Sequence, residues 1–327
     1  MLAARGNRGA YRGNQSRHDM STNPSTAIDR GRRPDLLSPR ELAGLGGLEF
    51  VSREVVEGFL AGLHRSPHRG FSVEFAEHRM YQPGDDLRYV DWRMYGRSDR
   101  YYIKQFEEET NLRCYILLDT SASMAWSSGD LPPKLWYGKQ LAAALTLLLL
   151  RQGDSVGLIA FDERIRAHLA PRGGRRQFTH IAETAGAIEA AGQTEAGSAL
   201  RDVAGRLRRR GLVVLLSDLL VDPDSTRLAI RFLRHRGHEV LVFHLMDPGE
   251  RELPAMRDAR FVDPETGEEI PVSVADLRAE YRQAVARALA EWRRTLTPQG
   301  VDYTVVETDQ PMVHALRAYL DKRERLG

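Results

Sequence analysis

From residue 112 onward the chain alternates two hydropathy patterns: short runs that are apolar almost throughout, and longer segments whose apolar residues recur every three or four positions. The short runs predict strands at 112–118, 155–161 ("SVGLIAF"), 165–169 ("IRAHL"), 212–217 ("LVVLLS"), 239–245 ("EVLVFHL") and 302–307 ("DYTVVE"). The longer segments predict helices at 134–152, 175–190, 196–210, 224–236, 274–296 and 311–325. Strands that are apolar on both sides need cover on both faces. The expected architecture is therefore a doubly wound, mostly parallel α/β sheet with helices on both faces, spanning 111–327.

Upstream, the pattern changes. Ser38, Pro39 and Glu41 have the spacing of a capping box with proline at the first helical position, so a helix is expected to start there. Phe71, Val73 and Phe75 alternate with Ser72, Glu74 and Ala76, which predicts a strand, and "QPGDD" at 82–86 signals a turn. A further strand is expected in "YYIKQFEEE" at 101–109. Residues 36–110 thus read as a small N-terminal mixed α/β module, preceded at 1–35 by a disordered basic leader in which Met20 is an alternative start.

Composition narrows the class without naming a function. With 42% hydrophobic and 28% charged residues, the chain is neither collagenous nor wholly disordered. The single Cys114 excludes an intramolecular disulfide and a cysteine-based zinc site, and fits a cytoplasmic setting. The longest apolar run, "LAAALTLLLL" at 141–150, is half of what a bilayer span requires and reads as a core helix, and no secretory signal pattern opens the sequence, so no membrane partner is expected. The formal charge of +2 is unevenly spread: seven Arg against three Asp give +4 within 1–35, leaving −2 for the rest. A folded part that is not basic argues against nucleic acid as a partner.

The chemistry concentrates at strand ends, where open parallel sheets gather ligands. "CYILLDTSASM" follows a buried strand with Asp119, Ser121 and Ser123 at alternate positions, and "SDLL" puts Asp218 directly after the strand 212–217. Carboxylate and hydroxyl oxygens suit Mg²⁺, which commonly keeps several waters. Thr194, in "GQTEAGSAL", is a further oxygen donor, with Thr179, Thr184 and Ser198 as competitors. Taken alone, D-x-S-x-S equally fits a helix cap. As a nucleophile Asp119 lacks the second Asp two residues on that phosphoryl-transfer enzymes use, since Ser121 stands there, and no G-x-S-x-G elbow, paired-histidine motif or phosphate loop is present. Metal-dependent hydrolysis of phosphate esters remains the alternative enzymatic reading. The acid-, arginine- and aromatic-rich stretch "PGDDLRYVDWRMYGRSDR" fits an internal ion-pair network or an interface.

This arrangement resembles the von Willebrand factor type A domain and its metal-ion-dependent adhesion site, in which a D-x-S-x-S sequence, a distant Thr and a later Asp surround a divalent cation. Matched position by position, the resemblance implies Asp119, Ser121, Ser123, Thr194 and Asp218 as ligands of Mg²⁺ or Mn²⁺. A narrower resemblance, to the bacterial family of unknown function number 58, rests on "EFAEHRMYQPGDDLRYVDWRMYGRSDRYYIKQFEEE" followed by "LLDTSASM", and on "MDPGERELP", "FVDPETGEE" and "TDQPMVHALRAYLDKRER". That resemblance implies a non-enzymatic interaction protein. Its metal would be completed by an Asp or Glu of a protein partner, with a MoxR-type AAA+ ATPase or its client as the expected one.

Overall fold

The computed structural model describes residues 3–5, 36–64, 78–81, 95–96, 100–104, 112–192, 196–207, 209–220, 222–253, 258–262 and 269–324. In chain order the strands are β1 (Ala3–Arg5), β2 (His78–Met80), β3 (Tyr102–Lys104), β4 (Arg113–Asp119), β5 (Ser155–Phe161), β6 (Ile165–Arg172), β7 (Leu212–Ser217), β8 (Glu239–Met246), β9 (Asp258–Val262), β10 (Glu269–Ser273) and β11 (Val301–Glu307). The helices are α1 (Pro39–Ala43), α2 (Leu48–His64), α3 (Lys134–Arg151), α4 (Arg175–Ala187), α5 (Ala196–Arg206), α6 (Pro223–His235), α7 (Val274–Leu296) and α8 (Val313–Glu324).

Six strands form the main sheet in the order β11-β8-β7-β4-β5-β6, all parallel except β6, which runs antiparallel to β5. Strand pleat divides the core in two. Cys114, Ile116 and Leu118 of β4 face one way, against Leu141, Leu145 and Leu148 of α3, Phe178 and Ile181 of α4 and Leu316 of α8. Tyr115 and Leu117 face the other way, against Val203 of α5, Ile230 and Leu233 of α6 and Trp292 and Leu296 of α7. Helices therefore cover both faces, as all-apolar strands require. No helix of the described residues is long and apolar enough to cross a membrane.

The helix expected from Ser38 forms as α1. The Ser38 backbone N–H donates to Glu41 Oε2 at 2.9 Å while Glu41 N–H donates back to Ser38 Oγ at 3.4 Å. Helix α2 then lays Val51, Val55, Val56 and Phe59 into the core beneath α3, so this upstream helix shares a hydrophobic core with the large sheet. The strand expected near 71–76 and the 82–86 turn lie outside the described residues, as do 105–109 of the 101–109 strand. Of the stretch 1–35, only Ala3–Arg5 is described, and it pairs antiparallel with β9. The β9–β10 pair is a hairpin that hydropathy did not predict. Pro271 is tolerated in β10 because β10 is an edge strand of its sheet.

Helix α4 ends at Ala187, short of the expected 190, because Ile188 turns extended with φ −78° and ψ 134°. That exit carries the chain across to the end of β4, where Ala191 N–H donates to Thr120 O at 2.9 Å and Ala122 N–H donates to Gly192 O at 3.2 Å.

Candidate metal site

Central strand β4 delivers Asp119 to the carboxyl end of the sheet, and its parallel neighbour β7 delivers Ser217 and then Asp218 to the same place. Asp119 is fully enclosed: Oδ1 accepts from Ser121 N–H at 2.9 Å and Oδ2 accepts from the Ser217 hydroxyl at 2.6 Å. Thr120 anchors the motif sideways, donating through both its N–H and its hydroxyl to Phe161 O. Ser121 stands at the N-cap position of a short 3₁₀ turn, Ala122–Ala125, yet its side chain makes no capping hydrogen bond. Its hydroxyl lies 3.1 Å from that of Ser123 instead. The motif's hydroxyls are thus directed at each other and at carboxylates, which a helix cap does not require.

Gly192 brings the next segment against this cluster. Its φ is 84°, and a β-carbon there would stand 2.6 Å from Asp162 Oδ2, so glycine is required on both counts. Thr194, two positions on, lies outside the described residues, and Thr179 and Thr184 lie within α4.

Asp218 joins Asp119, Ser121 and Ser123 but is already engaged. Its Oδ1 accepts from Leu220 N–H at 3.1 Å and its Oδ2 accepts from the Lys134 ammonium at 2.7 Å. Lys134, wholly buried, also donates to Glu250 Oε1 at 2.5 Å. Glu250 in turn closes a capping box with Asp247, whose carboxylate takes N–H donors from Ser128 and Gly249. Between Asp218 and Leu220 the backbone passes through Leu219 at φ 51°, a left-handed conformation costing a non-glycine residue about 1–2 kcal/mol. Ser217 Oγ steadies that residue by accepting from Leu219 N–H at 3.0 Å.

Electrostatics separate the two aspartates. Burial, reinforced by repulsion from Asp218, pushes the Asp119 carboxyl up to about 6, against the pull of hydrogen bonds from Ser217 and Ser121. Asp218 is equally buried, which alone would raise it, but the Lys134 ammonium and the Lys134 and Ser123 hydrogen bonds hold it below the usual carboxylate range. His244, which hydrogen-bonds Tyr303 at 2.7 Å, is kept neutral by burial, its pKa lowered to about 4. Among the described residues, the one ammonium of this cluster therefore pairs with two of its buried carboxylates, Asp218 and Glu250, and leaves the third, Asp119, with no side-chain cation at its oxygens.

That surplus of negative charge, with two serine hydroxyls beside it, fits a hard divalent cation on the Asp119, Ser121 and Ser123 side. Among the described residues no group of three or more His, Cys, Asp or Glu side chains is arranged to hold a metal, so such an ion would rest on hydroxyls and water as well as carboxylate. Of the three motif oxygens' residues only Ser123 is partly exposed, and Ala125 and Leu220 are exposed next to it in sequence or on the Asp218 loop. Lys134, Ser217 and Glu250 were not anticipated from sequence. One signal for Lys134 existed: a lysine at the first position of a helix opposes the helix dipole, and Pro133 before it supplies no cap.

A mostly parallel sheet with helices on both faces and one antiparallel edge strand defines a von Willebrand factor type A-like fold. More narrowly, the chain belongs to the family described as "Protein of unknown function DUF58", whose model matches residues 77–291. Uncharacterized protein Rv1480 of Mycobacterium tuberculosis is 29% identical over 298 residues, covering 90% of this chain and 93% of that protein. Among solved structures, the conserved hypothetical protein BatB from Bacteroides thetaiotaomicron aligns with a TM-score of 0.44 at 19% identity, over 65% of this chain and 99% of that one. The SpRpn10 VWA domain aligns with a TM-score of 0.38 at 12% identity, over 63% and 94% respectively.

Proposed function

We propose that the protein is a cytoplasmic docking module that binds Mg²⁺ or Mn²⁺ through Asp119, Ser121 and Ser123, with Thr194 as a further ligand and Asp218 oriented behind them. When bound, the ion supplies a Lewis-acidic position that accepts a carboxylate oxygen from another protein. The chain's own residues do the rest. Ser217 and the Ser121 N–H fix both oxygens of Asp119, Lys134 holds Asp218 in place, and partly exposed Ser123 marks the side from which an Asp or Glu would arrive. The partner class we propose is a MoxR-type AAA+ ATPase or its client, with the module acting in assembly or maturation of other proteins.

The observation that carries this reading is the buried Asp119 carboxylate, hydrogen-bonded by two donors yet paired with no side-chain cation at its own oxygens among the described residues. Titrating the full chain with Mn²⁺ and Mg²⁺ tests it. Saturable binding is expected in the wild type and loss of at least tenfold in affinity in Asp119→Ala, with near-ultraviolet circular dichroism unchanged. A purified MoxR-type ATPase should then be retained with Mg²⁺ and released by chelator. Equal metal binding by wild type and Asp119→Ala would overturn the site, and chelator-insensitive retention would overturn the bridging role.

A further inference from the structure

Lys134 is the feature of the cluster that a site built only for a metal does not need. A lysine at the first position of α3 sits where the helix's unpaired N–H groups already carry positive charge, and it is entirely removed from water. Local preference is thus overridden by tertiary contacts to residues far along the chain: Asp218 on the loop after β7 at 2.7 Å and Glu250 in the 248–250 turn at 2.5 Å. The ammonium therefore ties three segments together at the carboxyl end of the sheet, and among the described residues it balances the charge of Asp218 while leaving Asp119 with hydroxyl and N–H donors only.

We propose that Lys134 is a built-in cation of this site: it substitutes permanently for metal charge at Asp218 and Glu250, lets the cluster fold without a divalent ion, and lowers the affinity of the Asp119 pole for one. The last clause rests on the metal reading given above, whereas the first two stand on the ion-pair geometry alone. The sign follows from charge. An ammonium that shares Asp218 with the serine cluster repels an incoming cation, and repulsion in a site of low effective dielectric is strong. Asp218 is correspondingly a positioning residue held by Lys134, with one oxygen on the ammonium and the other on Leu220 N–H.

The test compares the full-length wild type with Lys134→Met, Asp218→Asn and the double variant, by thermal unfolding in chelator and then by Mn²⁺ titration followed by electron paramagnetic resonance of free Mn²⁺. In chelator, Lys134→Met is expected to unfold about 10 °C below wild type, because one side of a buried ion pair is removed. Adding Asp218→Asn should restore half or more of that shift, since it removes a charge left without its partner. Unchanged unfolding of Lys134→Met, or a double variant no better than Lys134→Met, overturns the built-in cation. Should Lys134→Met fail to fold, the double variant decides: a folded double variant supports the proposal, and an unfolded one overturns it. With Mn²⁺, Lys134→Met is expected to bind on the order of tenfold more tightly than wild type. Wild-type binding with equal or weaker affinity in a folded Lys134→Met overturns the affinity clause, while no Mn²⁺ binding by any variant overturns the metal reading and leaves the unfolding comparison to judge Lys134.

Discussion

Asp154, in the turn before β5 at the amino end of the strands, is as buried as Asp119 at the carboxyl end, yet the two are treated differently. Asp154 accepts from Leu112 N–H at 3.1 Å and is gripped by both terminal nitrogens of Arg323 on α8. Arg323 also donates to Tyr319, which in turn donates to Gln152 at 3.2 Å. One carboxylate meets one guanidinium, and every group in the chain of contacts has a partner. At the other end, among the described residues, Lys134 pairs with Asp218 and Glu250, and Asp119 keeps only the Ser121 N–H and the Ser217 hydroxyl. Matched charge belongs to a clasp between α8 and the sheet, whereas unmatched charge on a fixed oxygen cluster is what a site for a cation needs.

The largest expected effect comes from breaking the matched end. Arg323→Met leaves Asp154 buried without its guanidinium, a change that costs on the order of 3 kcal/mol in comparable buried pairs. Chemical denaturation should show that loss while Mn²⁺ affinity stays within about twofold of wild type. If metal affinity collapsed along with stability, the two ends would be coupled and the contrast between them would fail.

Asp119→Asn, at the unmatched end, should act in the opposite direction. The folded-state pKa of Asp119 is raised, to about 6 from 3.8, by burial and by Asp218. Such a group stabilises the fold below its unfolded pKa and loses that contribution as pH rises through the folded value, so near pH 8 the ionised carboxylate is a liability. Neutralising it should stabilise the metal-free protein on the order of 2 kcal/mol at pH 8, with the advantage shrinking as pH falls from about 6 toward 4. The same variant should lose Mn²⁺ binding. Unfolding midpoints measured across pH in chelator check the first expectation, and a destabilised Asp119→Asn at pH 8 would contradict it.

Why the acids at the strand ends were legible in the sequence and their long-range partners were not has a physical reason. All-apolar strands such as Leu212–Ser217 announce burial on both faces, and an acid placed directly after such a strand, as Asp119 and Asp218 are, falls at the sheet's ligand-gathering end. These features are encoded within a few residues. The Lys134 pairings to Asp218 and Glu250 join positions 84 and 116 residues apart, and the Asp154–Arg323 clasp joins positions 169 apart, so no local pattern carries them. The β9–β10 hairpin escaped for a different reason, since "FVDPETGEEIPV" holds a turn signal but its flanking runs are short and interrupted by Pro271.

The finest contrast lies in a single hydroxyl. Ser217 Oγ donates to Asp119 Oδ2 at 2.6 Å and accepts from Leu219 N–H at 3.0 Å, so it links the unmatched carboxylate to the left-handed residue of the Asp218 loop. At the amino end the equivalent service to Asp154 comes from a backbone N–H, Leu112, which no substitution but proline removes. Ser217→Ala therefore tests whether the site depends on orientation as well as charge. Losing a hydrogen bond to a charged group costs about 1.5–3 kcal/mol, so a drop in stability at pH 8 is expected, together with a Mn²⁺ affinity several-fold weaker than wild type. Charge alone would give a different result: Asp119 keeps its carboxylate in this variant, so unaltered affinity would mean that the ion needs only the negative pole and not its fixed direction.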